Sequence, residues 1–252
     1  MAALFAQGGL AAHLTFVFFV AASVYVQTLT GFALSLLLLG FVGLTNLFPL
    51  PDAVNAVSFI VVMNAATFLH RRRPLRFEPA MKTAVLFNVV GSFIGMGVLV
   101  LLAAHAFHLL RTLLGVIVIG CALLLWRMAK PHETTSPPRV FAFVGLLSGV
   151  LGGMFSAAGP PLVYVVYRQP WPLERIQESL IFSFGIGALL RLVVLGLSGR
   201  VGAQSLLLAA EAIPVVLLVT TVTANRKLPV SRETLRHIVC ALLICTGVGM
   251  LV

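Results

Sequence analysis

A chain of 252 residues that is 60% hydrophobic and 10% charged is not an ordinary soluble domain, because a water-facing surface needs more charge than that. Apolar windows of membrane-spanning length recur from end to end, so the class is a polytopic membrane protein with lipid covering its outside. The net charge of +10 sits in the joints between apolar segments, the pattern of cytoplasmic loops facing anionic lipid; no basic patch coincides with a polar domain, which excludes nucleic acid as a partner.

Met1–Gly9 has no basic residue and no clear small-residue cleavage site, so the first apolar segment is expected to be retained. Eight apolar blocks follow in order: Leu10–Phe48, Asp52–Leu69, Pro79–Ala103, Phe107–Met128, Val140–Tyr167, Leu173–Leu197, Gly202–Ala224 and Ser231–Val252. The polar joints are His70–Pro74, Arg127–Arg139 and Asn225–Arg236. The second, rich in Pro, Ser and Thr, divides the chain into an N-terminal repeat at 1–130, a cytoplasmic linker at 131–139 and a C-terminal repeat at 140–252. Cys121, Cys240 and Cys245 all lie in apolar segments at spacings that match no zinc or disulfide framework, and read as small buried hydrophobes. No metal or cofactor is expected.

Block five is broken in its middle by Ser156-Ala157-Ala158-Gly159-Pro160-Pro161, and block one, more weakly, by Thr28-Leu29-Thr30-Gly31-Phe32. Blocks two and six also resemble each other: aligning Ser58 with Ser179 puts Pro51 on Pro172 and His70 on Arg191. Broken helices at corresponding places in two halves are the mark of a repeat-built transporter. If every block crosses once, the Lys and Arg residues divide ten to seven; if blocks one and five enter and leave on one side, fourteen of the 17 fall together, with Arg111, Arg191 and Arg200 opposite. The positive-inside rule prefers the second arrangement. The fold expected is therefore all-α, two inverted four-element repeats, each a broken helix or re-entrant hairpin followed by three transmembrane helices. Both termini then face the periplasm. Block one is also long enough for two short spans.

A helix interrupted in a membrane bares backbone N–H and C=O groups that protein, water or solute must satisfy. Pro160 and Pro161 suit the first turn of a half-helix, where their missing N–H groups are orphans anyway, and Gly159 suits the turn before it. The N–H groups around Gly159, Leu162 and Val163 would then face an anion, with Ser156 beside them. Thr28, Thr30 and Gly31 offer the equivalent from the other half. Gly152 and Gly153 read as helix-packing positions. Asn55, Ser58, Gln177 and Ser179, about one turn into the helices after each break, read equally as anion donors or as interhelical glue of about 0.6 kcal/mol each. Arg191 and Glu211 are the costly intramembrane charges; folding blocks six and seven as an antiparallel pair brings them to one depth, where they serve proton coupling or form a structural ion pair. His70 and His237 read as interfacial, and His105 and His108 belong to an outer turn.

At Ser148-Gly149-Val150-Leu151-Gly152 leading to Gly159-Pro160, and on to Pro172-Leu173-Glu174-Arg175-Ile176-Gln177-Glu178-Ser179-Leu180, the chain resembles the sulfite exporter TauE/SafE family of bacterial membrane proteins. The resemblance covers the whole length and the count of blocks. It implies transport of a small organic or sulfur oxyanion, such as sulfite or a sulfonate, across the inner membrane. The family's glycine run is here Phe155-Ser156-Ala157-Ala158-Gly159, and the first half has only Thr30-Gly31-Phe32, with no Pro.

Together these readings give a secondary transporter working by alternating access, with protons as the expected coupling ion and a homodimer as the expected assembly. An anion channel is the alternative. A membrane-embedded enzyme is a weaker one, because Ser156 has no histidine expected at its depth and only Arg191 and Glu211 offer clustered charge.

Overall fold

The structure is a computed structural model that describes residues 9–73, 77–103, 107–126, 132–157, 159–224, 237, 240–245, 247 and 248. Among these residues there is no strand. The helices are α1 (Gly9–Thr30), α2 (Leu34–Thr45), α3 (Leu50–Arg71), α4 (Met81–Ala103), α5 (Phe107–Trp126), α6 (Pro138–Phe155), α7 (Pro160–Tyr167), α8 (Leu173–Leu197) and α9 (Ala203–Thr223). The described residues from 237 to 248 are helical as well. Six of the helices, α1, α3, α4, α6, α8 and α9, are long and apolar enough to cross a membrane. Leu10, Leu14 and Phe18 repeat every four residues along the outside of α1, and Phe93, Leu101 and Leu197 are exposed elsewhere: large apolar side chains turned to lipid.

Both interrupted blocks turn back on themselves. α2 has 12 residues, about 18 Å of helix, too short to cross alone. Phe19 of α1 stacks on Phe41 of α2 with centroids 4.7 Å apart, and His13 lies 5.1 Å from Phe48, so the chain leaves near the level at which it came in. Block one is thus a spanning-length arm and a short return arm, not two short spans. α7 has 8 residues. The His132 N–H donates to the Arg168 carbonyl (2.7 Å), the Ser136 N–H donates to Gln169 Oε1 (2.8 Å), and Trp171 stacks on Phe141. The second hairpin therefore also closes at its own mouth.

Each hairpin docks on helices of the other half. α6 runs along α4 with backbones almost touching: a Cβ at Gly145, Gly149 or Gly153 would lie 2.2–2.4 Å from the carbonyl oxygens of Ala84, Asn88 or Ser92. Gly91 and Gly95 approach α6 just as closely. Gly153 is thus a packing glycine, as read from the sequence. α1 runs along α9. α3 lies against both α8 and α9, burying Ala53, Ala56, Val57 and Ile60 over a wide arc.

That arc corrects one expectation: α9 packs on α3 and α1 rather than along α8, so blocks six and seven do not form an antiparallel pair. Two polar contacts fasten α9 to α3. Ser205 Oγ donates to Asp52 Oδ1 (2.8 Å) and Thr220 Oγ1 to Asn64 Oδ1 (2.7 Å).

Candidate functional site

The first break is built by Thr30-Gly31-Phe32-Ala33. The Gly31 N–H still bonds the Gln27 carbonyl (2.6 Å), as a last helical turn would. Its φ of +83° and the 2.9 Å between a Cβ there and Gln177 Cα leave room only for glycine. Ala33 also sits at φ +83°, a left-handed conformation that costs an L-residue about 1–2 kcal/mol. It reverses the chain into α2. Gln27 Oε1 accepts the Leu34 N–H (3.2 Å) and so caps α2 from the preceding turn. Gln27 is 2% exposed, and its Nε2 is without a protein partner among the described residues.

The second break is built by Ser156, Ala157 and Gly159; Ala158 and the Pro160 side chain lie outside the described residues. The left-handed residue here is Ser156 (φ +55°), which closes α6 by donating its N–H to the Gly152 carbonyl (2.8 Å). Gly159 has an ordinary φ of −86°, and a Cβ there would meet only Leu36 at 3.6 Å. The expectation that Gly159 makes the tight turn is therefore corrected. Val163 donates its N–H to the Gly159 carbonyl (2.9 Å), so it is no free anion donor, while Pro160, first residue of α7, brings no N–H.

The two breaks converge on one cavity. Gln27, Ala33 and Ser35 line it from the first, and Gly152, Ser156 and Gly159 from the second; Phe184 and Gly187 of α8 close it. Its volume is about 20 Å³, room for about one water. Behind Ser156 stands a polar chain: Ser156 Oγ and Ser58 Oγ are 2.9 Å apart, and Arg191 Nη1 donates to Ser58 Oγ at 2.8 Å. Arg191 also donates from Nε to the Gly153 carbonyl (3.2 Å) and from Nη1 to the Val54 carbonyl (3.4 Å). It is 2% exposed, and no carboxylate of the described residues is paired with it. Among the described residues the guanidinium is held by neutral acceptors.

Other residues read as site candidates face elsewhere. Thr28 and Thr30 donate their hydroxyls to the Val24 and Val26 carbonyls one turn back, which is how a membrane helix absorbs a hydroxyl. Gln177 Nε2 donates to the Leu29 carbonyl and the Tyr167 hydroxyl to the Thr30 carbonyl; both seal the first tip from outside the cavity. Asn55 reaches the Arg200 carbonyl (3.5 Å) at the α8–α9 turn. Ser179 lies beside the Glu78 N–H (3.5 Å). Glu211 pairs with His13, Nδ1 to Oε2 2.8 Å, and not with Arg191. Sequence reasoning missed Gln27 and His13, although a polar residue one turn before a break and an imidazole inside an apolar helix were both signals.

A bundle of membrane-crossing helices with two interrupted hairpins meeting at a small cavity that carries a few polar groups is the architecture of a multi-pass membrane transporter. The chain belongs to the sulfite exporter TauE/SafE family, whose model matches residues 14–250. It is similar to a protein of Cupriavidus necator described as a probable sulfite/organosulfonate exporter TauE, with 29% identity over 230 residues, 91% of this chain and 90% of the relative. No solved structure matches the chain.

Proposed function

We propose that the protein exports a small sulfur oxyanion, sulfite or an organosulfonate, across the bacterial inner membrane by alternating access. One observation carries the reading: the cavity where the two breaks meet is backed by a buried guanidinium that no described carboxylate neutralises. A lone buried charge is costly in a protein interior, and a bound anion is the natural compensation. Ser58 Oγ accepts from Arg191 and has two acceptors within reach for its one proton, the Val54 carbonyl (3.2 Å) and Ser156 Oγ (2.9 Å); when the proton goes to Ser156, the Ser156 proton is left for the cavity, which Gln27 also lines. The anion is then held by Gln27 Nε2 and Ser156 Oγ, with Arg191 behind them as counter-charge rather than as a coupling residue.

Two inverted repeats, 1–130 and 140–252 joined by the linker 131–139, give this site its alternation. The support is a correspondence of contacts. The first tip meets Gln177 near the start of α8, and the second meets Ser58 near the start of α3. α1 docks on α9 as α6 docks on α4. The cavity has room for about one water, so the anion enters by a widening of the site rather than through a standing pore.

The test is exchange of sulfite and of methanesulfonate across liposomes holding the purified protein. Wild type exchanges labelled for unlabelled anion, and Arg191→Gln, inserted to the same level, loses that exchange. Exchange undiminished in Arg191→Gln overturns the site, and flux that runs only downhill without exchange replaces the transporter by a channel.

A further inference from the structure

His13 and Glu211 lie apart from the anion cavity, where α1 meets α9. Their side chains are 5% and 18% exposed, and both belong to spanning segments. The Phe48 ring, at the point where the first hairpin leaves, covers the imidazole, and Phe16 packs edge-on against Phe48. A carboxylate and an imidazole in bonding distance inside a membrane can hold one proton between them with no net charge: imidazolium beside carboxylate, or imidazole beside carboxylic acid. Remove that proton and a net negative charge stays behind in an apolar surround, a state that draws Glu211 toward water.

Two further features place this pair where movement is least restrained. The second hairpin is locked to α4 by glycines whose backbones leave no slack. The corresponding contact of the first hairpin, α1 on α9, instead carries the His13–Glu211 pair, Nδ1 to Oε2 2.8 Å. Moreover, α9 contains Pro214, three residues past Glu211. Proline has no N–H, so the Ala210 carbonyl lacks its intrahelical donor and the helix is weakest beside the pair.

Among the described residues, the charged groups named near the pair are few. α9 offers Glu211 itself. α3 offers Asp52, which accepts the Ser205 hydroxyl. α2 and its exit present the rings of Phe41 and Phe48, and α8 reaches α1 through Gln177 at the opposite end, near Leu29.

We propose that the His13–Glu211 pair is the proton-binding site of the transporter: the shared proton holds hairpin α1–α2 against α9, and its release lets the two part at the Pro214 break. The cycle takes a proton onto Glu211 Oε2 from water on one side, shares it with His13 Nδ1 while the contact is closed, and returns it to water on the other. No other bond is made or broken. The proposal rests on the transporter reading and adds its coupling ion.

Methanesulfonate is the probe, since it binds no proton near neutrality and any proton dependence then belongs to the protein. In proteoliposomes a pH gradient accelerates methanesulfonate efflux through wild type. In Glu211→Gln and in His13→Gln, which keeps a donor of similar length, the gradient's effect is lost while exchange at equal pH persists. A gradient effect in Glu211→Gln equal to wild type, or none in a wild type that does exchange methanesulfonate, overturns the proposal. Infrared difference spectra between acid and alkaline buffer, recorded without substrate, read the proton directly. A protonated carboxyl band is present in wild type, lost in Glu211→Gln and shifted in His13→Gln; spectra identical in all three overturn the site. Should wild type show this band yet exchange no methanesulfonate, the proton site stands and the anion-transport reading falls.

Discussion

Arg191 is the side chain on which most of the chemistry turns. Its three acceptors come from two other elements, the Gly153 carbonyl from α6 and Val54 and Ser58 from α3, so the guanidinium is clamped before any anion arrives. A lysine there keeps the charge but, as a point donor, cannot satisfy that fork. Arg191→Lys is therefore expected to weaken anion binding at least ~10-fold, about 1.4 kcal/mol, read as the KM for exchange. Ser156→Ala removes one donor from the cavity and leaves the Arg191–Ser58 bond in place. It should cost about 1–1.5 kcal/mol of anion affinity, again visible in KM, with insertion unchanged. Equal KM values for Ser156→Ala and wild type would remove Ser156 from the binding set. The sequence shows that Arg191 and Ser156 are out of place among apolar neighbours. It does not show that Ser58 joins them while Asn55, three residues earlier, turns away to Arg200. In a helix each residue turns the side chain by about 100°, and only packing fixes the helix's rotation.

Among the helices, the contrast between two glycine positions is informative. Gly149 leaves a Cβ 2.2 Å from the Asn88 carbonyl, whereas Gly97 in α4 faces open space with nothing within 4 Å. Gly149→Val must push α6 off α4 and should lower the thermal midpoint in detergent by the equivalent of about 1–3 kcal/mol or more; Gly97→Ala should leave it unchanged. Gly159→Ala should likewise fold and exchange anion, because its φ is ordinary and the added methyl meets only Leu36. Gly159→Trp is a different matter, for the indole would fill a cavity of about 20 Å³. The break at Gly159-Pro160 is plain in the sequence because proline and glycine stop a helix locally. The first break is faint because its reversal rests on Ala33, a residue with no such reputation, held left-handed by its surroundings.

For the protein as a whole the question is sidedness. Asn46 follows α2 at the mouth of the first hairpin, and Glu133 lies beside the mouth of the second. In a background without Cys121, Cys240 and Cys245, cysteines placed at 46 and 133 should label from opposite faces of the membrane, the first from the periplasm and the second from the cytoplasm. Labelling of both from one face would remove the inverted arrangement and, with it, alternation about a central cavity.

Sequence alone was enough to determine a multi-pass membrane protein, its family and the places where its helices break, because hydropathy, proline and glycine act over a turn or a span without reference to distant residues. Tertiary structure decided which polar groups meet: Gln27 with the second break, Arg191 with Ser58 rather than Glu211, and Glu211 with His13. Those partners are separated by more than a hundred residues in the chain, and they find one another only through the way α3 comes to lie between α8 and α9 and each hairpin comes to lie on the other half.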